Sequence, residues 1–137
     1  VQVKFITDLV TIRPGEGADI SHITTKGPKR QLFQDFSVEV SEESGKVTTI
    51  TVPKGFVFDG ASIPRLLWLL FPPGYGPAHR AAAIHDYLYN YGYTHYSKRY
   101  ADDLFRATML ADGANPFIAW AFWRAVRLGG KGGWARV

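Results

Sequence analysis

Hydrophobic and polar positions change period halfway along the chain. Residues 1–6 alternate apolar with polar, residues 9–13 form a short apolar stretch, and 36–40 (Phe-Ser-Val-Glu-Val) alternate strictly, as a half-buried strand does. The polar run 41–45 reads as a turn. With the β-branched run 47–52 after it, it predicts a hairpin with a longer loop. Pro53-Lys54-Gly55 stops that strand, and 56–58 allow one more short one. Residues 14–31, rich in Gly, Thr and Lys, read as loop.

Beyond residue 60 the pattern becomes helical. A short buried helix is predicted over 65–71, broken by Pro72-Pro73-Gly74-Tyr75-Gly76. Pro77 suits the first position of the next helix, which is expected to run to about Tyr91, because its missing N–H costs nothing there. Ser97 is a candidate N-cap for a second helix from Lys98 to about Ala111. A third is expected from Pro116 to Leu128, ahead of a Gly-rich tail over 129–137 in which Trp134 is a candidate anchor. The expectation is one α+β domain over residues 1–137: a small antiparallel β layer (1–60) packed on about three helices (61–128).

Composition narrows the function classes. Of 137 residues, 46% are hydrophobic and 15% aromatic, enough to build a core in one domain. There is no cysteine, which excludes disulfides, thiolate metal ligands and a thiol nucleophile. No apolar run reaches membrane-spanning length and no signal peptide is recognisable, and the absence of cysteine fits a reducing compartment, so the expected location is a virion or a host cytoplasm. The net charge of +4 suits acidic partners or simple solubility, and no specific nucleic acid is predicted.

Candidate chemistry concentrates at His85-Asp86-Tyr87-Leu88-Tyr89. On a helix His85 and Tyr89 share a face, whereas His85 and Asp86 diverge by ~100°. His85, between Ile84 and Leu88, is expected to be half-buried, and a histidine so placed can act as a general base. Asp86 is expected to turn to a different object, such as a cation. If the second helix packs antiparallel to the first, Asp102 or Asp103 can meet the His85 ring. Asp102 is favoured because it shares a face with Phe105 and Met109. The plainer alternative is that both aspartates serve only the helix dipole. Asp59 and Ser62 either form a strand-to-helix turn or lie beside His85 and complete a metal or substrate site. His79 is a surface residue or a ligand near Asp86. His22 and His95 sit in loops with no partner pattern, and Trp120, Phe122 and Trp123 are core and rim of the last helix or a contact to a partner or lipid.

The runs 81–89 and 99–105 resemble the core of calcium-dependent phospholipases that cleave the sn-2 ester, in particular their bacterial and parvoviral-capsid branches. That resemblance implies His85 activating a water, Asp86 binding calcium with backbone carbonyls around Gly74 and Gly76, and Tyr89 and Asp102 supporting the histidine. A second resemblance spans nearly the whole chain. Residues 52–56, Phe58 to Arg65, His85 to Tyr89, Ala101-Asp102 and Ala125-Val126-Arg127 are similar to an uncharacterised domain family of tailed phages and prophages. It implies viral biology and no established reaction. Three functional expectations follow: a His/Asp hydrolase, metal-assisted, acting on lipid or cell-envelope material; a structural tail or tail-tip component partnered by other phage proteins; and an HD-type phosphohydrolase, for which the upstream histidine is poorly placed.

Overall fold

The structure is a computed structural model, described here over residues 1–18, 20, 29–58, 76–91 and 95–129. The expected helix at 65–71, the candidates Asp59, Ser62 and Gly74, His22, and Trp134 with the tail beyond residue 129 lie outside the described residues.

Strands β1 (Gln2–Phe5), β4 (Phe36–Ser41) and β5 (Val47–Val52) form one antiparallel sheet in the order β1-β4-β5. Strands β2 (Thr11–Ile12), β3 (Arg30–Leu32) and β6 (Val57–Phe58) form a second, in the order β2-β3-β6. The β4–β5 hairpin has the anticipated alternation. Phe36 pairs with Val52 and Val38 with Ile50, and these side chains are buried on one face. The turn closes through Glu42 N donating to Lys46 O (2.8 Å), with Gly45 at φ 89°, a conformation glycine adopts without steric cost.

Strand β3 corrects the sequence reading, which carried the loop through residue 31. Its three residues are too few to show a period, and pairing to β2 and β6 creates it. Leu32 N donates to Phe56 O and Gly55 N donates to Leu32 O, both at 2.9 Å. The Gln31 side chain accepts from Gly15 N (3.1 Å) and donates to Gly55 O (3.1 Å), fastening the following loop to the preceding one. The stretch expected over 9–13 contracts to two paired residues for the same reason, since only Thr11 and Ile12 find a partner strand.

Three helices follow among the described residues: α1 (Gly76–Asn90), α2 (Lys98–Ala111) and α3 (Pro116–Gly129). The Ser97 hydroxyl accepts from Tyr100 N (3.0 Å), satisfying one orphan donor at the start of α2. That helix ends at Asp112, with Gly113 at φ 88°, and Ala114 N returns to Met109 O (2.9 Å). Asn115 then caps α3 by accepting from Phe117 N (2.8 Å), and Pro116 takes the first helical position.

Helix α1 lies between two packed clusters. On one side Ala83, Ile84, Leu88 and Tyr89 meet the sheet residues Phe36, Val38 and Val52, together with Ala101 and Leu104 of α2. On the other, Ala78, Ala81 and Ala82 meet Phe105 and Met109 of α2 and Phe122 and Val126 of α3. Small residues at 78, 81 and 82 let the helices approach closely. The start of α1 packs with the end of α2, and the end of α1 with its start, so the pair is antiparallel. Each large core side chain, such as Phe36 or Phe105, contributes roughly 1.5–3 kcal/mol by leaving water.

Candidate functional site: a buried carboxylate hub

Antiparallel packing of α1 on α2 brings Asp102 to the His85/Tyr89 face. Asp102 Oδ1 lies 2.7 Å from His85 Nε2 and accepts from the Tyr89 hydroxyl at 2.6 Å. Its other oxygen, Oδ2, accepts from Lys98 Nζ at 2.8 Å and Arg127 Nη1 at 3.1 Å. The carboxylate therefore has four donors from three helices, two on each oxygen. Asp102 and His85 have no exposed surface, and neither does Tyr89.

Burial alone would push the Asp102 carboxyl up. Hydrogen bonds from His85, Lys98 and Tyr89 outweigh that and hold it below its usual range, so it is ionised at neutral pH. Burial also raises the Tyr89 hydroxyl far above its ordinary value, and the bond to the Asp102 carboxylate adds to this. Tyr89 is thus a fixed donor. An ionised carboxylate only accepts, so the bonded Nε2 carries the imidazole proton and, in the neutral ring, Nδ1 carries the lone pair.

The histidine is more enclosed than the sequence suggested. Half-burial was expected, yet the ring is held 4.2 Å (centroid to centroid) from Tyr89 and 4.8 Å from Phe105, with no accessible surface. Phe105, one turn past Asp102, closes a side that the α1 sequence alone leaves open. Asp86 also departs from expectation. It was expected to turn outward to a cation, but it is buried, at 3% exposed.

The donors implied for calcium are not gathered among the described residues. Gly76 begins α1, ten residues before Asp86, so the two are separated by about 15 Å along the helix axis. His79 is about 10 Å from Asp86 along the same axis and cannot share an ion with it. No group of three His, Asp or Glu side chains placed to hold a metal occurs among the described residues. Among the described residues no donor set fits a calcium site, and no chemistry is routed through one. His79 instead packs edge-on to Phe58 (6.2 Å) in a groove away from His85.

Asp103 plays a different part from its neighbour. It faces outward, accepts from Trp123 Nε1 (2.8 Å) and pairs loosely with Arg99 (3.7 Å).

Two hub members were not anticipated. Lys98 was legible in principle, because it stands four residues before Asp102 on the same helix face. Its ammonium also donates to Val126 O at 3.1 Å, satisfying a carbonyl in the last turn of α3, and lies 5.8 Å from the Tyr89 ring centroid. Arg127 was not legible, because only the docking of α3 on α2 brings it to Asp102.

Fold and site together define an α+β domain whose helical layer is organised around one buried, fully hydrogen-bonded aspartate. The chain belongs to the family described as protein of unknown function DUF1353, whose match covers residues 31–126, from β3 into α3 and across His85, Tyr89, Lys98 and Asp102. No curated protein matches it, and no solved structure does. Among the described residues no helix is long and apolar enough to cross a membrane.

Proposed function

We propose that this protein is a phage- or prophage-encoded hydrolase of ester bonds in lipid or cell-envelope material, with His85 as general base. The observation carrying this reading is the His85 Nε2–Asp102 Oδ1 contact of 2.7 Å, braced on the same oxygen by Tyr89 at 2.6 Å. Such a pair fixes the tautomer and the ring orientation and stabilises the imidazolium that forms when the ring takes up a proton. In the step it supports, the ring removes a proton from water while the oxygen adds to the ester carbonyl. Collapse of the tetrahedral intermediate breaks the C–O bond, and the alkoxide takes the proton back from the imidazolium. The products are an alcohol and a carboxylic acid. The resemblance of 81–89 and 99–105 to sn-2 phospholipases supports the ester substrate, and the whole-chain resemblance supports the viral origin.

A second reading is favoured by the complete burial of His85, Tyr89 and Asp102. Here the protein is a structural virion component, and the network specifies the packing of three helices. One set of measurements separates the two. The wild-type protein and His85→Gln are assayed on phospholipid vesicles and on short-chain esters, with circular dichroism of both. Under the first reading the wild type hydrolyses one of these substrates, and His85→Gln loses at least a hundredfold in rate while keeping its fold. Absence of hydrolysis by the wild type, together with stoichiometric recovery of the protein in purified particles, establishes the second.

A further inference from the structure

Outside the hub, a set of unassigned polar side chains lines a groove of about 540 Å³ between the β2–β3 pair, the start of α1 and the end of α2. Asp8, Thr11, Arg30, His79, Arg80 and Asp112 line it, with Leu9 as the apolar wall. His79 and His85 are six residues apart on α1, about 9 Å along the axis and roughly 120° around it, so this groove does not belong to the hub.

The charges in the groove are unevenly matched. At one end Arg80 bridges both carboxylates, to Asp8 Oδ1 at 2.7 Å and Asp112 Oδ1 at 3.2 Å, and stacks over Phe5 at 4.7 Å. That end is closed on itself. At the other end Arg30 donates one N–H to the Thr11 hydroxyl (3.3 Å), an uncharged partner. The neighbouring group is His79, half-buried against Phe58. Burial, and then the charge of Arg30, push the His79 pKa down. A cation, a histidine and a hydroxyl thus converge in a groove whose two described carboxylates are already engaged by Arg80.

We propose that this end of the groove binds a phosphate group, held by the Arg30 guanidinium, the Thr11 hydroxyl and the protonated His79 ring. A dianion between Arg30 and His79 reverses the electrostatic situation at the ring. The repulsion that disfavours imidazolium becomes an attraction, so binding takes up a proton. The groups facing His79 are Arg30 from β3, Phe58 from β6, and Arg80, Asp8 and Asp112 at the closed end. Of these described groups, only Arg30 and the ring itself have charge to offer an anion, since Arg80 is engaged by Asp8 and Asp112. A guanidinium suits this task because its fork of donors matches phosphate oxygens. The inference is independent of the hydrolase reading, since it uses no residue of the hub.

The test uses the full chain and three probes. Sulfate, whose charge is constant between pH 5 and 8, and inorganic phosphate are titrated while the His79 ring protons are followed by NMR. The expected result is saturable binding that raises the His79 pKa and weakens up to about tenfold per pH unit above it. Arg30→Gln, an exposed change on a short strand, should weaken sulfate binding at least tenfold with an unchanged fold. His79→Gln should abolish the pH dependence. The third probe, vesicles of phosphatidylglycerol against phosphatidylcholine, identifies the source. Cosedimentation with the former that Arg30→Gln abolishes marks a lipid headgroup, and sulfate binding without cosedimentation marks a soluble phosphate compound. An unmoved His79 signal at saturating sulfate, or binding that Arg30→Gln leaves intact, overturns the proposal.

Discussion

Asp102 Oδ1 and His85 Nε2, seventeen positions apart in the chain, meet at 2.7 Å in the interior of the helical layer. The same carboxylate reaches Lys98 on its own helix and Arg127 on α3, so one side chain joins all three helices. Burying a charge is costly, and it is tolerated here because every strong acceptor direction is filled.

Removing that charge should be severe. Asp102→Asn leaves Lys98 and Arg127 without an anion and turns one acceptor into a donor facing donors. Breaking a buried pair in this way costs about 3–5 kcal/mol. The expected outcome in urea denaturation is a large fall in midpoint, or failure to fold.

Tyr89→Phe is the milder version. It keeps the ring against His85 and deletes only the hydroxyl that donates to Asp102. A hydrogen bond to a charged group contributes roughly 1.5–3 kcal/mol. Equilibrium denaturation should show a loss in that range with an unchanged m-value.

Stability should fall on acidification in two separable stages. His79 has a folded pKa below its unfolded value of ~6.5, so its contribution is full above ~6.5 and is lost as pH falls through the folded value. Asp102 is likewise depressed below its unfolded value of ~3.9, so its contribution is full above ~3.9 and lost further into acid. In a pH series of denaturation midpoints, His79→Gln should flatten the upper stage and leave the lower one.

Two phenylalanines on neighbouring helices should behave oppositely. Phe105 is buried against His85 and Phe122, and Phe105→Ala should cost about 3–5 kcal/mol. Phe117 is 72% exposed on α3, and Phe117→Ala should stay within about 0.5 kcal/mol of wild type. Parallel thermal melts of the two variants check the assignment of core and surface.

The sequence by itself determined the β4–β5 hairpin, the three helices and the inward side of the hairpin. Strict alternation at Phe36, Val38 and Val40 set the hairpin, while Ser97, Pro116 and the break at Asp112-Gly113 set the helix limits, because capping and periodicity are properties of neighbouring residues. The shared face of His85 and Tyr89 was legible for the same reason, as was the choice of Asp102 over Asp103 by its alignment with Phe105 and Met109. Only tertiary structure decided the rest. Strand β3 exists because β2 and β6 come to it, Arg127 reaches Asp102 because α3 docks on α2, and His85 is sealed because Phe105 arrives from another helix. Asp86 looked outward on a lone helix, where a residue next to an inward histidine points elsewhere. In the folded domain Asp86 is buried all the same, which the geometry of a lone helix does not foretell.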